Sequence, residues 1–214
     1  MNLFRIDASI LPGSSASAEL ADAVQAEWAL THPDAPVERR HLGTRPLPAD
    51  AWALATTAGF TPAPERTPEQ TEAMALAAEL AGELDRADAV LLAVPLYNYG
   101  VSQHFKVWTD LVINAAGPTT PVLKEKPTVL VATKGGGYRP GAPREGWDHS
   151  TPYLRRVLVD MWQADLTVIE RELTLAATTP SMEDLREEAA RLHRDALDAA
   201  REAGRTLGKA VARV

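Results

Sequence analysis

The chain has 214 residues, 45% of them apolar, a net charge of −7 and no cysteine. Such a chain can bury a core without staples and suits one domain, 1–214. The missing cysteines exclude disulfides, thiolate metal sites and a cysteine nucleophile, and an acidic chain without a basic cluster argues against nucleic acid as a partner. No apolar run approaches the ~20 residues of a membrane span. "MNLFRIDASI" has no charged leader ahead of a long apolar stretch. The expectation is a soluble cytoplasmic protein that does not touch a membrane.

"NLFRIDA", from Asn2, reads as a short apolar strand, and "SILPGSS" breaks it. Ser17 is placed to cap a helix over about Ala18 to Leu30. "PVERRHL" is a weak second strand. Residues 43–68 are rich in Pro and Ala and form a long excursion with a short helix near Trp52. Thr67, Pro68 and Gln70 supply a cap, an N1 proline and a capping-box partner for a helix to about Arg86. "ADAVLLAV" has no polar face and reads as a strand covered on both sides. Helix over Ser102–Ile113 follows, then the strand "TVLVAT", the loop "KGGGYRPGAP", and a helix from Thr151 to about Trp162. "LTVIEREL" is the fifth strand, and a charged helix runs from about Ser181 to Gly204.

Strands alternate with helices long enough for right-handed crossovers, which implies an α/β three-layer sandwich with a parallel sheet. For five strands the natural order is 2-1-3-4-5, the flavodoxin-like arrangement. Ligands of such sheets sit beyond the carboxyl ends of the strands, where the order reverses. The loops there are Ser9–Ser17, Pro95–Gly100 and Thr133–Tyr138.

Each of these loops suits part of one ligand. The first opens a helix N-terminus, where unpaired N–H groups hold phosphate, and Ser9, Ser15 and Ser17 add hydroxyls. It contains neither G-x-x-x-x-G-K-[ST] nor G-x-G-x-x-G, so a terminal monophosphate fits better than a nucleoside triphosphate or a dinucleotide. In "VPLYNYG", Tyr97 and Tyr99 can flank a planar ring while amides near Asn98 face a ring heteroatom. Gly135, Gly136 and Gly137 bring backbone N–H groups close to a ligand, where they and Lys134 can balance negative charge. Taken singly, the loops also suit an ordinary serine cap, tyrosines packed under the next helix and a flexible excursion. Together they describe a site for flavin mononucleotide (FMN).

"SILPGSSAS" from Ser9, "PEQTEAMALAAEL" from Pro68, "VPLYNYGVSQHFKVWTDLV" from Val94, "TKGGG" from Thr133 and "TPYLRRVL" from Thr151 give the chain a wider likeness. It resembles the FMN-dependent NADH:quinone and azo oxidoreductases, the bacterial azoreductases. The resemblance implies a homodimer with one FMN per subunit and ping-pong hydride transfer from NADH or NADPH to a quinone or azo compound. By position, Ser9, Ser15, Ala16 and Ser17 would surround the FMN phosphate. Pro95, Leu96, Tyr97, Asn98 and Tyr99 would line the isoalloxazine. Thr133, Lys134, Gly135 and Gly136 would reach its pyrimidine side. No side-chain acid is required, although Tyr138 or water can supply protons.

The chain departs from the family's pattern in several places. Only "NAAGPTTPVLKEK" separates the helix ending near Ile113 from the strand at Thr128, where the family usually has a longer aromatic segment over the flavin. Tyr138 stands where the family often has His, and Ala16 and Ala18 replace polar residues. These changes bear on acceptor choice and nicotinamide preference. Alternatives are a family member retuned to one biosynthetic substrate, a flavodoxin-like electron carrier, and a relative that keeps the fold without catalysis. The scattered histidines make no metal spacing, and no metal is expected.

Overall fold

Five parallel strands form one sheet in the order β2-β1-β3-β4-β5: β1 Leu3–Asp7, β2 Val37–His41, β3 Ala89–Pro95, β4 Pro127–Thr133 and β5 Asp165–Arg171. The computed structural model describes residues 1–211. β3 is buried along its whole length, as its unbroken apolar run requires, and so is β1 despite its Arg5 and Asp7, whereas the outer strands β2 and β5 include exposed positions. Among the described residues six α-helices cover the sheet: α1 Ala16–Thr31, α2 Ala51–Gly59, α3 Pro68–Arg86, α4 Gln103–Ala116, α5 Ser150–Arg155 and α6 Arg186–Val211.

The sheet separates two apolar cores. Phe4, Ile6, Leu92 and Val94 face a layer built from α2, α3, α4 and α5. Leu3, Leu91 and Val131 face α1 and α6. This is the flavodoxin-like three-layer sandwich that the strand–helix alternation implies. The capping box at Thr67 is present in both directions, with Thr67 Oγ1 accepting from the Gln70 N–H and Gln70 Oε1 accepting from the Thr67 N–H.

Some local expectations are corrected. The cap of α1 is Ser15, not Ser17: Ser15 has extended backbone and its Oγ accepts from the Ala18 N–H at 3.2 Å. Ser17 is buried in the first turn with its Oγ 3.1 Å from that of Ser15. Cap preference alone does not choose between serines so close together. The α6 helix begins at Arg186 because Pro180–Leu185 winds as a 3-10 turn and Met182 leaves helical geometry. Past Arg155 the α5 helix loosens into a π-helical stretch, Arg156–Met161. Trp162 at its end is core, edge-on to Trp108 at 5.6 Å. The short segment between α4 and β4 folds back under the molecule: Leu123 is buried and its N–H donates to the Trp162 carbonyl.

A polar cluster lies under the start of α1. Arg5 and Asp7 point to the same face of β1 and are both buried. Arg5 donates twice to Asp7 and also to Asp22 and Gln25 of α1, while Arg39 donates to Asp7 from β2. With its charges paired and bonded, this cluster fixes where α1 starts over the strand end.

Candidate active site

Parallel register brings the ends of β1, β3 and β4 together. Asp7 lies beside Ala93, and Pro95 beside Thr133. The Leu96 N–H then donates to the Thr133 carbonyl at 2.8 Å, so the loops after β3 and β4 leave the sheet side by side.

The loop after β3 is a tight turn. Tyr97 and Gly100 exchange both backbone hydrogen bonds at 2.9 Å. Asn98 and Tyr99 between them have φ of 47° and 69°, the left-handed pair of a type I′ turn. The Tyr97 hydroxyl reaches the first loop, standing 3.2 Å from Ser9 Oγ and accepting from the Ile10 N–H at 3.2 Å. Tyr97 is therefore a strut between two loops as well as a ring at the site. Tyr99 projects outward, with its ring edge-on to Trp147 at 5.4 Å and to Tyr138 at 6.5 Å.

Ser9 is buried, and its Oγ also accepts from the Leu11 N–H, so its hydroxyl works within the loop. At the start of α1 the N–H groups of Ala16 and Ser17 have no acceptor that the helix can provide. Gly43, after β2, lies against the first loop so closely that a Cβ there would collide with the Ser9 carbonyl.

Thr133, the last residue of β4, and Lys134 after it are buried. Lys134 differs from its expected role. Its Nζ lies 2.8 Å from Asp148 and 2.6 Å from Glu170, with Glu172 at 4.0 Å, so its charge is committed beneath the loop and cannot balance a ligand. Burial alone would lower Lys134, but the hydrogen bonds and charges of Asp148 and Glu170 outweigh it and raise the ammonium above its usual range. Burial alone would raise Asp148, yet Lys134 and Thr151 hold its carboxyl below the ordinary aspartate value. Asp148 Oδ1 also accepts from the N–H groups of Ser150 and Thr151 and so caps α5, which was expected to open at Thr151.

Beyond these loops lies a cleft of about 830 Å³. One wall is Leu96 to Tyr99, the floor is Gly135 to Tyr138, and Leu173, Leu175, Met182 and Leu185 of the β5–α6 connection form the apolar far wall. The N–H groups of Gly135, Gly136 and Gly137 donate to no protein acceptor among the described residues, whereas that of Tyr138 donates to Glu172. A Cβ on Gly135 would come within 2.7 Å of Leu175, so a bare backbone here lets the far wall close in. Burial pushes the Tyr138 phenol above its usual value, with Arg144 opposing the shift. The phenol keeps its proton at neutral pH.

Of the residues expected at the site, Leu96, Tyr97, Asn98, Tyr99, Gly135, Gly136 and Tyr138 share this cleft. Ser9, Ser15, Ala16 and Ser17 gather on the first loop, outside its lining, and Pro95 and Thr133 are the buried strand ends beneath it. Sequence reasoning missed Arg139, Arg144, Asp148 and the whole β5–α6 wall. The "DHSTP" run did carry a signal for Asp148, an acid ahead of a helix start. Among the described residues no cluster of His, Asp or Glu has the makings of a metal site, and no helix is long and apolar enough to cross a membrane.

Comparison with known proteins places this geometry. A family model described as a flavodoxin-like fold matches residues 1–197. An FMN-dependent NADH:quinone oxidoreductase of Frankia alni is 40% identical over 188 residues, which is 86% of this chain and 89% of that protein. One of the same name from Streptomyces avermitilis is 38% identical over 208 residues, or 94% of this chain and 95% of that one. The chain belongs to this family. Members of the wider fold are similar in shape: the crystal structure of azoreductase AzrA superposes with a TM-score of 0.79 at 20% identity, covering 96% of this chain and 100% of that one. An FMN-dependent NADH-azoreductase from Bacillus anthracis, solved in complex with FMN, gives 0.75 at 15% identity, covering 97% and 100%. At such identities these structures speak for the fold, and family membership rests on the Frankia and Streptomyces relatives.

Proposed function

We propose that the protein is an FMN-dependent NADH:quinone oxidoreductase that also reduces azo compounds. It would work by a ping-pong cycle as a cytoplasmic homodimer, with one FMN in each single-domain chain, 1–214. The observation that carries this reading is the convergence of three donor-bearing loops at the switch point of the sheet, in a chain of this family. The unpaired N–H groups of Ala16 and Ser17 suit a terminal phosphate. The N–H groups of Gly135 to Gly137 suit the polar edge of a ring, and Tyr97 supplies a ring face beside both. These groups fit FMN.

When bound, FMN would supply the redox chemistry, that of hydride exchange between a reduced nicotinamide and an acceptor. The protein's part is placement and electrostatics. Tyr97 holds the first loop and the ring shelf in one frame through Ser9 and Ile10. The free glycine amides are fixed dipoles directed at developing negative charge, a role that Lys134 cannot take. Leu173, Leu175 and Met182 give the cleft an apolar side against which a ring can lie. Tyr138, protonated at neutral pH, is placed to donate a hydrogen bond or a proton. A homodimer is supported by Phe60, 88% exposed, and by Trp52 and Trp147, about half exposed, all large apolar groups that a partner would cover.

Purified protein should be yellow and release about one FMN per chain on denaturation, and it should oxidise NADH with menadione as acceptor. Release of FAD, or no flavin even after reconstitution, would defeat this reading. Light scattering that finds only monomer at working concentration would defeat the dimer.

A further inference from the structure

The lining of the cleft contains two arginines and no aspartate or glutamate, in a chain whose net charge is −7. The two arginines are not equivalent. Arg139 is engaged, paired with Glu172 at 3.4 Å and with Glu188 of α6. The Arg144 guanidinium has no hydrogen bond and no ion pair among the described residues. It rests against Gly136, where any Cβ would collide with its Nη1. Its charge reaches Tyr138, opposing the rise that burial causes in the phenol. The nearby carboxylates of Asp148, Glu170 and Glu172 are held by Lys134 and Arg139, outside the cleft lining.

From this arrangement we propose that Arg144 selects aromatic acceptors that carry an acid group, a carboxylate or a sulfonate. The reading rests on the oxidoreductase function above and names its substrate class. A flat ring can lie along Leu173, Leu175 and Met182 while its acid group meets the free guanidinium, whose planar fork suits a two-pronged oxyanion. One exposed, unpaired guanidinium against Gly136 balances one acid group. The diphosphate of a nicotinamide nucleotide carries two charges and would meet one unpaired cation, because Arg139 is already engaged by Glu172 and Glu188. An acidic acceptor is therefore the better occupant.

The test uses the FMN-loaded protein with two probes that share a ring system, 1,4-naphthoquinone-2-sulfonate and menadione. In Arg144→Ala, kcat/KM for the sulfonate should fall about tenfold or more relative to that for menadione, the loss expected of one charge-assisted contact. Arg144→Lys keeps the charge and loses the fork, so it should fall between the two. The preference of the native protein for the sulfonate should shrink as salt rises. Calorimetric binding of the sulfonate to the oxidised protein should follow the same order, and it reads Arg144 even if neither quinone is turned over. Failure of turnover would count against the oxidoreductase reading alone. Turnover or binding in which both quinones are affected equally, or a change confined to the KM for NADH or to FMN retention, would overturn the role of Arg144.

Discussion

Lys134 Nζ stands 2.8 Å from Asp148 Oδ2, with the lysine 5% and the aspartate 14% exposed. This pair ties the end of β4 to the cap of α5 and closes the loop between them. It turns a stretch of glycines, prolines and exposed polar groups into a wall of the cleft. Removing one partner of a buried pair leaves the other charge uncompensated, which costs about 3 kcal/mol or more. In Lys134→Met the carboxylates of Asp148 and Glu170 lose their shared cation. The expected drop in melting temperature is about 6–12 °C for a chain of this size, read by thermal denaturation.

The same pair sets a pH window. The Asp148 carboxyl is held below its usual value, so its contribution is complete above about pH 4 and is lost as pH falls through the folded value. The Lys134 ammonium is held above its usual value, so its contribution is complete below about pH 10 and is lost as pH rises through the folded value. The difference in melting temperature between the native protein and Lys134→Met should be level from about pH 5 to pH 9 and shrink on both sides. A difference that changes steadily through neutrality would assign the pH dependence to other groups.

The sheet order, the capping box at Thr67 and the three loops at the switch point were legible in the sequence because each rests on local chemistry. Apolar runs name buried strands, Thr-Pro-x-Gln names a helix start, and a Tyr-Asn-Tyr-Gly run names an unusual turn. What was not legible depends on distant partners. Nothing within "TKGGG" tells that Lys134 will turn beneath the loop, because its carboxylates arrive 14, 36 and 38 residues later from Asp148, Glu170 and Glu172. Arg5 and Asp7 share a face by strand period, but their pairing with Asp22 and Arg39 needs α1 and β2 in place. The far wall of the cleft comes from the β5–α6 connection, whose composition resembles any other loop.

Gly43 supports the first loop from below. A Cβ at this position would collide with the Ser9 carbonyl and lie 3.2 Å from the Ile10 Cα, and neither backbone atom can swing aside as a side chain would. Gly43→Ala should therefore displace the loop, with an overpacking cost of about 1–3 kcal/mol and a lowered flavin-to-protein ratio after gel filtration. Gly13→Ala is the matched control on the same loop, since a Cβ there meets nothing within 4 Å.

The Tyr97 hydroxyl separates two roles of one side chain. In Tyr97→Phe the ring face stays, but the contacts to Ser9 Oγ and the Ile10 N–H go. The loss should be about 1 kcal/mol, seen as a several-fold weaker dissociation constant for FMN with little change in the flavin's visible band shape. In Tyr97→Ala the ring also goes, and the loss should be larger. Arg201→Ala is the control: Arg201 pairs with Asp198 on the exposed side of α6, outside the cleft lining. Equal FMN affinity in native protein and both Tyr97 variants would remove Tyr97 from the site.

Tyr99 stores strain that a pair of substitutions can measure. Its φ of 69° is a left-handed conformation that a side chain with Cβ adopts at a cost, whereas glycine adopts it freely. Its ring recovers part of that cost through the edge contacts to Trp147 and Tyr138, and its carbonyl accepts from the His149 N–H at 2.9 Å, which any residue there can reproduce. Tyr99→Ala loses the ring contacts and keeps the strain. Tyr99→Gly loses the same contacts and relieves it. The glycine variant should therefore be the more stable of the two by about 1 kcal/mol, reversing the order expected in a helix or strand, where glycine is the weaker choice. Urea denaturation of the two variants side by side decides it. An alanine variant as stable as the glycine variant would mean that the turn relaxes away from the left-handed pair, and Tyr99 would then be free to swing out of the cleft.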